Sequence, residues 1–443
     1  MSYASARPDE KAFQSDAVEN AVAEIAGAIG HDPELAWMFS NCFPNTLDRA
    51  VEHEFVDGRP DTFVVTGDID AMWLRDSTAQ VWPYLRLAPA DPALANLLRG
   101  VINRQTACVL IDPYANAFSR DGESMSPWAD DTTDMRPGVY ERKWEVDSLC
   151  WVVRLAHGYW KATGDTSAFD GLWQAAMELV LATFQEQQRF DGAGPYRFER
   201  KTDRKIDTLV RSGVGPEANP CGLIVSSFRP SDDRCELPYN VPANLMAVAA
   251  CRQLAEMAET GLLPAELWSQ ATSLAIQIRA ALEIEGVSRV NREETWSYEC
   301  DAMGNHLQAD DPNHPSLLSL PYLGLWNRDH PRYVATRHWA LSAANPHYAQ
   351  GTAASGGTSV HQGDDWIWPL SVITQALTST DEEEVRSCLR TLKATHAGTG
   401  LIHESFHKDD PNQFTREWFG RGNSLFGELI AELHRTRPNL LEL

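Results

Sequence analysis

Apolar residues recur along most of this chain at helical spacing. Leu94, Leu97, Leu98, Val101 and Ile102 mark one face of a helix, and Asp91-Pro92 before them is an N-cap followed by proline at the first helical position. Leu267, Ala271, Leu274, Ile278 and Leu282 repeat the pattern, with Pro264 opening that helix and Gly261 closing the one before. Gly164 stops another helix, and the caps at Asp165 to Ser167 open the next. Ser379 and Glu382 have capping-box spacing. The periodicity predicts roughly twelve helical segments, near 14–28, 34–53, 71–87, 92–108, 142–163, 167–188, 241–259, 265–284, 316–341 in pieces, 366–378, 382–395 and 421–436. Fragments such as 62–66 are β-rich, but no regular alternating strands appear.

Tight turns between helices alternate with longer, polar, aromatic-rich connections. If the hairpins close into a ring, the long loops gather at one end and form a concave face. A toroid of six hairpins accounts for the 443 residues without a linker, and an open helical array is the competing arrangement. The expectation is one all-α domain over 1–443, with 1–13 as a loose tail.

Charge narrows the partners. Lys plus Arg is 38 against 62 for Asp plus Glu, a net charge of -24 that disfavours nucleic acid and anionic membrane surfaces. No apolar run reaches the roughly 20 residues that span a bilayer, and the first twenty residues carry no apolar core of a secretory signal. A cytoplasmic protein is expected. The eight cysteines show no CxxC pair and read as reduced core residues. No zinc-finger Cys/His spacing and no EF-hand, dinucleotide, P-loop or GxSxG pattern occurs, and neither a metal nor a cofactor is expected.

Five segments place charges inside aromatic sequence, which is costly unless they are paired or functional. GDIDAMWLRDSTAQVWPYL (67–85) crowds Asp68, Asp70, Arg75 and Asp76 around Trp73 and Trp82. YERKWEVDSLCW (140–151) sets Glu141, Glu145 and Ser148, and likewise Lys143 and Asp147, at helical spacing. SSFRPSDDRCELPYNVPANLMAV (226–248) carries Arg229, Asp232, Asp233 and Asn244; one aspartate could cap a helix while the other faces a cleft. GTAASGGTSVHQGDDWIWPL (351–370) is a glycine-rich loop ending in His361, Trp366 and Trp368, suited to close approach of backbone to a ligand. GLIHESFHKDDP (400–411) has His403 and His407 four apart, and Glu404 beside the aromatic Phe406 reads as a pocket carboxylate rather than part of a metal site. The fifteen tryptophans, several within these segments, suit the C–H faces of sugars.

The first, second, third and fifth of these segments, with IDPYANAF (111–118), DDPNHPSLLSLPYLG (310–324) and NSLFGELI (423–430), resemble glycoside hydrolase family 125, from about residue 35 to 436. The resemblance implies an (α/α)6 barrel and an exo-acting α-1,6-mannosidase that inverts the anomeric centre and uses no metal. It implies a general acid in FRPSDD, Asp232 or Asp233 with Asp232 favoured, and Glu404 as general base. Arg75 and Asp76 of WLRDS resemble residues that hold the terminal mannose. Asn244 and His361 lie where the family has sugar-contacting loops, and Trp73, Glu141, Asp147 and Arg229 complete the expected binding set. Ser359-Val360-His361 departs from the family's SPH, and Arg421-Gly422 from an aromatic and a small residue, on the leaving-group side.

The expected substrate is therefore a terminal α-mannoside of a mannan or N-glycan fragment. Inverting hydrolysis needs one protonated carboxyl at the glycosidic oxygen and one carboxylate holding water on the opposite face. A sugar epimerase on the same barrel would want a histidine pair instead. A non-catalytic sugar-binding protein would not need two carboxyls, and a phosphorylase would need a basic pocket.

Overall fold

The computed structural model describes residues 3–443. Thirteen α-helices lie among them: α1 Asp16–Ala28, α2 Pro33–Cys42, α3 Asn45–Arg49, α4 Leu74–Val81, α5 Pro92–Ile111, α6 Val146–Thr163, α7 Gly171–Gln187, α8 Val241–Glu259, α9 Ala265–Glu285, α10 Pro331–Ala340, α11 Pro369–Thr378, α12 Glu382–Ala394 and α13 Gly420–Thr436. The chain divides into two compact units, one of residues 1–70, 76–101 and 341–443, the other of 71–75 and 102–340. No helix among the described residues is long and apolar enough to cross a membrane.

In the unit of 102–340, α8 packs along α9 and against α6, and α7 lies against α6 and α9. The sequence dictates which helices are sunk. α6 buries Leu149, Cys150, Trp151, Val152 and Val153 in succession, so it is covered on all sides there, whereas α9 buries one stripe, Leu267, Ala271, Leu274, Ala275, Ile278, Ala281 and Leu282. In the other unit, α13 packs on α2, α3 and α11, and α11 on α12. Gly427 of α13 permits this: a Cβ there would lie 2.7 Å from the Phe43 ring.

Several boundaries differ from the sequence reading for local reasons. The helix expected over 34–53 ends at Arg49, and Val51–Val56 pairs with Arg59–Val64 in a hairpin. Asp57 and Gly58, both at positive φ, form its two-residue turn. Asp91 caps α5 as expected, accepting from the Ala93 and Leu94 amides. α7 begins three residues beyond the expected caps, on Asp170, while Asp165 closes a separate turn with Ser167. α12 is capped by Asp381 rather than Ser379. The 316–341 segment is helical only over α10.

Residues 1–13, expected as a loose tail, are tied down where described; Met1 and Ser2 lie outside the described residues. The Ala12 and Phe13 amides bond to the carbonyls of Asp48 and Leu47. Arg7 bridges Glu19 at 2.6 Å and Asp48 at 2.7 Å.

Short antiparallel sheets interrupt the helices and carry the polar residues of interest. Met72–Trp73, Ala117–Phe118 and Val139–Glu141 form one, within a single unit. In the other unit, Trp366–Ile367, Ser405–His407 and Asp410–Thr415 form another.

Candidate active site

The segments singled out in the unit of 102–340 converge on one carboxyl cluster. Arg75, in the first turn of α4, is 3% exposed. Its Nη1 meets Glu145 Oε2 at 2.6 Å and Asp147 Oδ2 at 3.4 Å, and its Nη2 meets Asp232 Oδ1 at 3.3 Å. Asn116 Nδ2 donates to the same Asp232 oxygen at 3.1 Å and to Glu141 Oε2 at 3.0 Å. Arg200 closes the far side of Glu141 at 3.0 Å and is itself held by Asp131 at 2.6 Å.

Asp232 and Asp233 differ in accessibility. The Asp232 side chain is 26% exposed, and Asp233 is 1% exposed with Ser231 donating to its carboxyl. Neither caps a helix, since α8 is capped by Asn240. Asp232 sits at φ +65, the left-handed region that costs a non-glycine residue energy. The turn is fastened on both sides: its amide donates to the Arg229 carbonyl at 2.9 Å, and Lys143 Nζ donates to its own carbonyl at 2.9 Å.

Charge is concentrated here. Burial, followed by the neighbouring Asp232 and Asp147, lifts the Glu145 carboxyl well above the usual range, with Arg75 pulling the other way. Burial works against the Lys143 ammonium, but Glu141, Asp232 and Asp207 outweigh it and its pKa is raised. Trp73, 7% exposed, packs edge-on against Tyr140 at 5.7 Å.

Two expected sugar contacts have structural roles instead. Asn244 is fully buried; its Nδ2 donates to the Ile224 and Asn240 carbonyls and its Oδ1 accepts from the Ile224 amide. Both its donors and one of its two acceptor positions are spent on backbone. Arg229 is a buried partner of Glu299 at 2.6 Å, and Glu299 in turn accepts from the Glu236 and Leu237 amides. Asp76 is buried in the first turn of α4.

The second carboxyl group lies in the other unit. Glu404, 5% exposed, immediately precedes the Ser405–His407 strand. Gln362 Nε2 donates to its Oε2 at 2.7 Å, Thr415 Oγ1 to the same atom at 3.2 Å, and Arg416 Nε lies 3.3 Å from Oε1. Arg416 Nη1 is held at 2.9 Å by Asp68. His361, one residue before Gln362, lies half-buried with its amide on Ser359 Oγ.

His403 is buried among backbone carbonyls. It stacks on Phe414 at 3.8 Å, its Nδ1 faces the Arg416 and Glu417 carbonyls, its Nε2 faces the His396 carbonyl, and burial lowers its pKa. His407 lies on a strand, so its spacing from His403 is not that of one helical face. Among the described residues no three His, Cys, Asp or Glu side chains gather as a metal site.

Glu145, Asn116, Lys143, Gln362 and Arg416 were not among the expected site residues. Asn116 and Glu145 do lie in segments that stand out by their unusual composition.

Comparison with known proteins fits this arrangement. A structure of a metal-independent α-mannosidase from Streptococcus pneumoniae, in a non-productive complex with α-1,6-mannobiose, is 40% identical and superposes with a TM-score of 0.92 over 96% of this chain and 100% of that one. The Meiotically up-regulated gene 157 protein of Schizosaccharomyces pombe is 40% identical, over 98% of this chain and 88% of its own. A bacterial glucoamylase complexed with acarbose shares the fold at 12% identity, with a TM-score of 0.53 over 93% of this chain and 57% of that one. The fold is the (α/α)6 barrel of these glycosidases, as expected. The model of a family described as metal-independent α-mannosidases matches residues 32–431, and the chain belongs to that family, glycoside hydrolase family 125.

Proposed function

We propose that this α-mannosidase is exo-acting and inverting, and that it releases terminal mannose from α-1,6-linked mannosides, with Asp232 as general acid and Glu404 as general base. The observation that carries the acid assignment is that Asp232, and not Asp233, offers a partly exposed carboxyl fixed by Arg75 and Asn116. The pneumococcal relative's complex with α-1,6-mannobiose supports the linkage.

In this reading Asp232 gives its proton to the glycosidic oxygen as the bond breaks. Glu404 takes a proton from the water that attacks the opposite face, so β-mannose leaves first. The mechanism requires the two carboxyls to be about 6.5–9.5 Å apart. Gln362 and Arg416 fix the orientation of the base. Arg75, engaged by three carboxyls, serves the acid from behind, and Trp73, Asp76, Glu141, Asp147 and His361 remain the residues assigned to shape or contact the sugar. A cytoplasmic site of action is supported by eight free cysteines, seven of them buried.

The epimerase reading loses support because His403 is buried with both ring nitrogens facing backbone carbonyls, to one of which its single N–H donates. Proton NMR of the first sugar released from α-1,6-mannobiose tests the proposal. β-Mannose is expected; α-mannose refutes inversion, and no release from any α-mannoside refutes the whole reading.

A further inference from the structure

We propose that Glu145 is the positioning residue of the acid: it shares one proton with Asp232 and keeps that carboxyl loaded for delivery to the leaving group. The inference rests on the assignment of Asp232 as general acid.

Glu145 occupies the N-cap position of α6, yet its side chain makes no cap hydrogen bond. Its carboxyl turns instead to Ser148 Oγ at 2.7 Å and to Arg75 Nη1 at 2.6 Å, on the same guanidinium whose Nη2 meets Asp232 at 3.3 Å. No nitrogen or hydroxyl donor reaches its Oε1. Glu145 and Asp232 crowd one guanidinium together with Asp147, and like charges so close do not all ionise, so a proton stays with the pair. The charged and titratable groups around the pair are Arg75, Asp147 and, across the turn, Lys143 and Cys235. One guanidinium thus faces three carboxyls, and burial favours holding a proton on the pair.

The two members differ in access. Glu145 is sealed from solvent, whereas the Asp232 side chain is 26% exposed, so the proton leaves through Asp232. It passes to the leaving-group oxygen while the attacking water gives one proton to Glu404. Glu404 then releases its proton to solvent and the pair takes one up, which restores the starting state.

The test is the pH dependence of kcat/KM on α-1,6-mannobiose and on 2,4-dinitrophenyl α-mannoside, whose leaving group needs no protonation. Glu145→Gln removes the like charge and offers Asp232 an N–H donor, both of which favour ionised Asp232. The alkaline limb on mannobiose should therefore move down by about one pH unit or more. Activity on the dinitrophenyl substrate should stay near wild type. Glu145→Asp should move the limb less, in the same direction, and supplies the measurement if the glutamine variant does not fold. An unmoved limb, or an equal loss on both substrates without a shift, overturns the inference. Asp232→Asn serves as the control. If the dinitrophenyl substrate rescues it while Glu145 variants leave the limb in place, only the role of Glu145 fails. If nothing rescues it, the acid assignment fails as well.

Discussion

Replacing Arg75 with methionine tests whether one buried guanidinium holds three carboxyls together. The Arg75 side chain is 3% exposed and contacts Glu145, Asp147 and Asp232 within 3.4 Å, and the first two are wholly buried. Methionine replaces part of the side-chain bulk but supplies no charge. Removing one partner of a buried ion pair costs about 3–5 kcal/mol, because the carboxylates left behind lose their counter-charge. They respond by taking up protons, each pKa unit of the rise being worth about 1.4 kcal/mol.

This response gives the loss a pH signature. In the folded variant the cluster binds protons that the unfolded chain releases near its ordinary carboxylate pKa of about 4. The folded state then binds more protons than the unfolded one, so stability falls as pH rises, by about 1.4 kcal/mol per pH unit for each extra proton. Urea unfolding followed by tryptophan fluorescence at pH 5 and pH 8 reads this directly. The deficit of Arg75→Met against wild type should be larger at pH 8, and Arg75→Lys, which keeps a charge but not the planar fork, should recover part of it. A loss below about 1 kcal/mol at both pH values, the range of exposed ion pairs, would refute the reasoning. So would a deficit that is larger at pH 5.

Other outcomes can be checked more briefly. Glu404→Gln should lower kcat by roughly 10²–10⁴, and the dinitrophenyl substrate should not rescue it, as the lost step is water activation; rescue would move Glu404 out of the base role. Asn244→Ala should destabilise by about 1–3 kcal/mol for each backbone group it strands, with KM for mannosides unchanged; a raised KM at unchanged stability would return Asn244 to the sugar site. Burial lifts the Asp310 carboxyl to about 8 and raises Glu145 too, so their contribution is complete below about pH 4 and is lost as pH climbs towards 8. The wild-type urea midpoint should accordingly fall between pH 5 and pH 8, and a rise would show that these carboxyls are ionised in the fold. Activity should survive EDTA, and loss that zinc or calcium restores would point to a bound metal.

Helices were legible because each follows from residues a few positions apart. Asp91-Pro92 opens α5 and Gly164 closes α6 through local caps that no distant contact overrides. The hairpin of 51–64 was hidden because Val51 and Phe55 also satisfy a helical i, i+4 spacing, and only the Asp57-Gly58 turn betrays it. Asn244 and Arg229 show the opposite limit. Their residue types suit a sugar site, but whether a side chain faces a cleft or a backbone carbonyl depends on Ile224 and Glu299, residues distant in sequence.

The segment 140–147 was misread by its period rather than its composition. Helical spacing put Glu141 and Glu145 on one face, yet the helix starts only at Val146 and the chain before it is extended. In extended chain, alternate residues share a side. Glu141, Lys143 and Glu145 then turn together to the Asp232 turn: Glu141 through Asn116, Lys143 to the Asp232 carbonyl, Glu145 through Arg75. Arg142 and Trp144 turn the other way, to Asp112 and the Val225 carbonyl. A period of two thus explains why three of the four buried charges in residues 141–145 act together: they are one face of a short extended segment, and that face is the support of Asp232. The same logic covers HESFH, where His403 stacks on Phe414 while its neighbour Glu404 engages Gln362 and Arg416. Charges that look scattered along a helix become, along a strand, two separate sides with separate tasks.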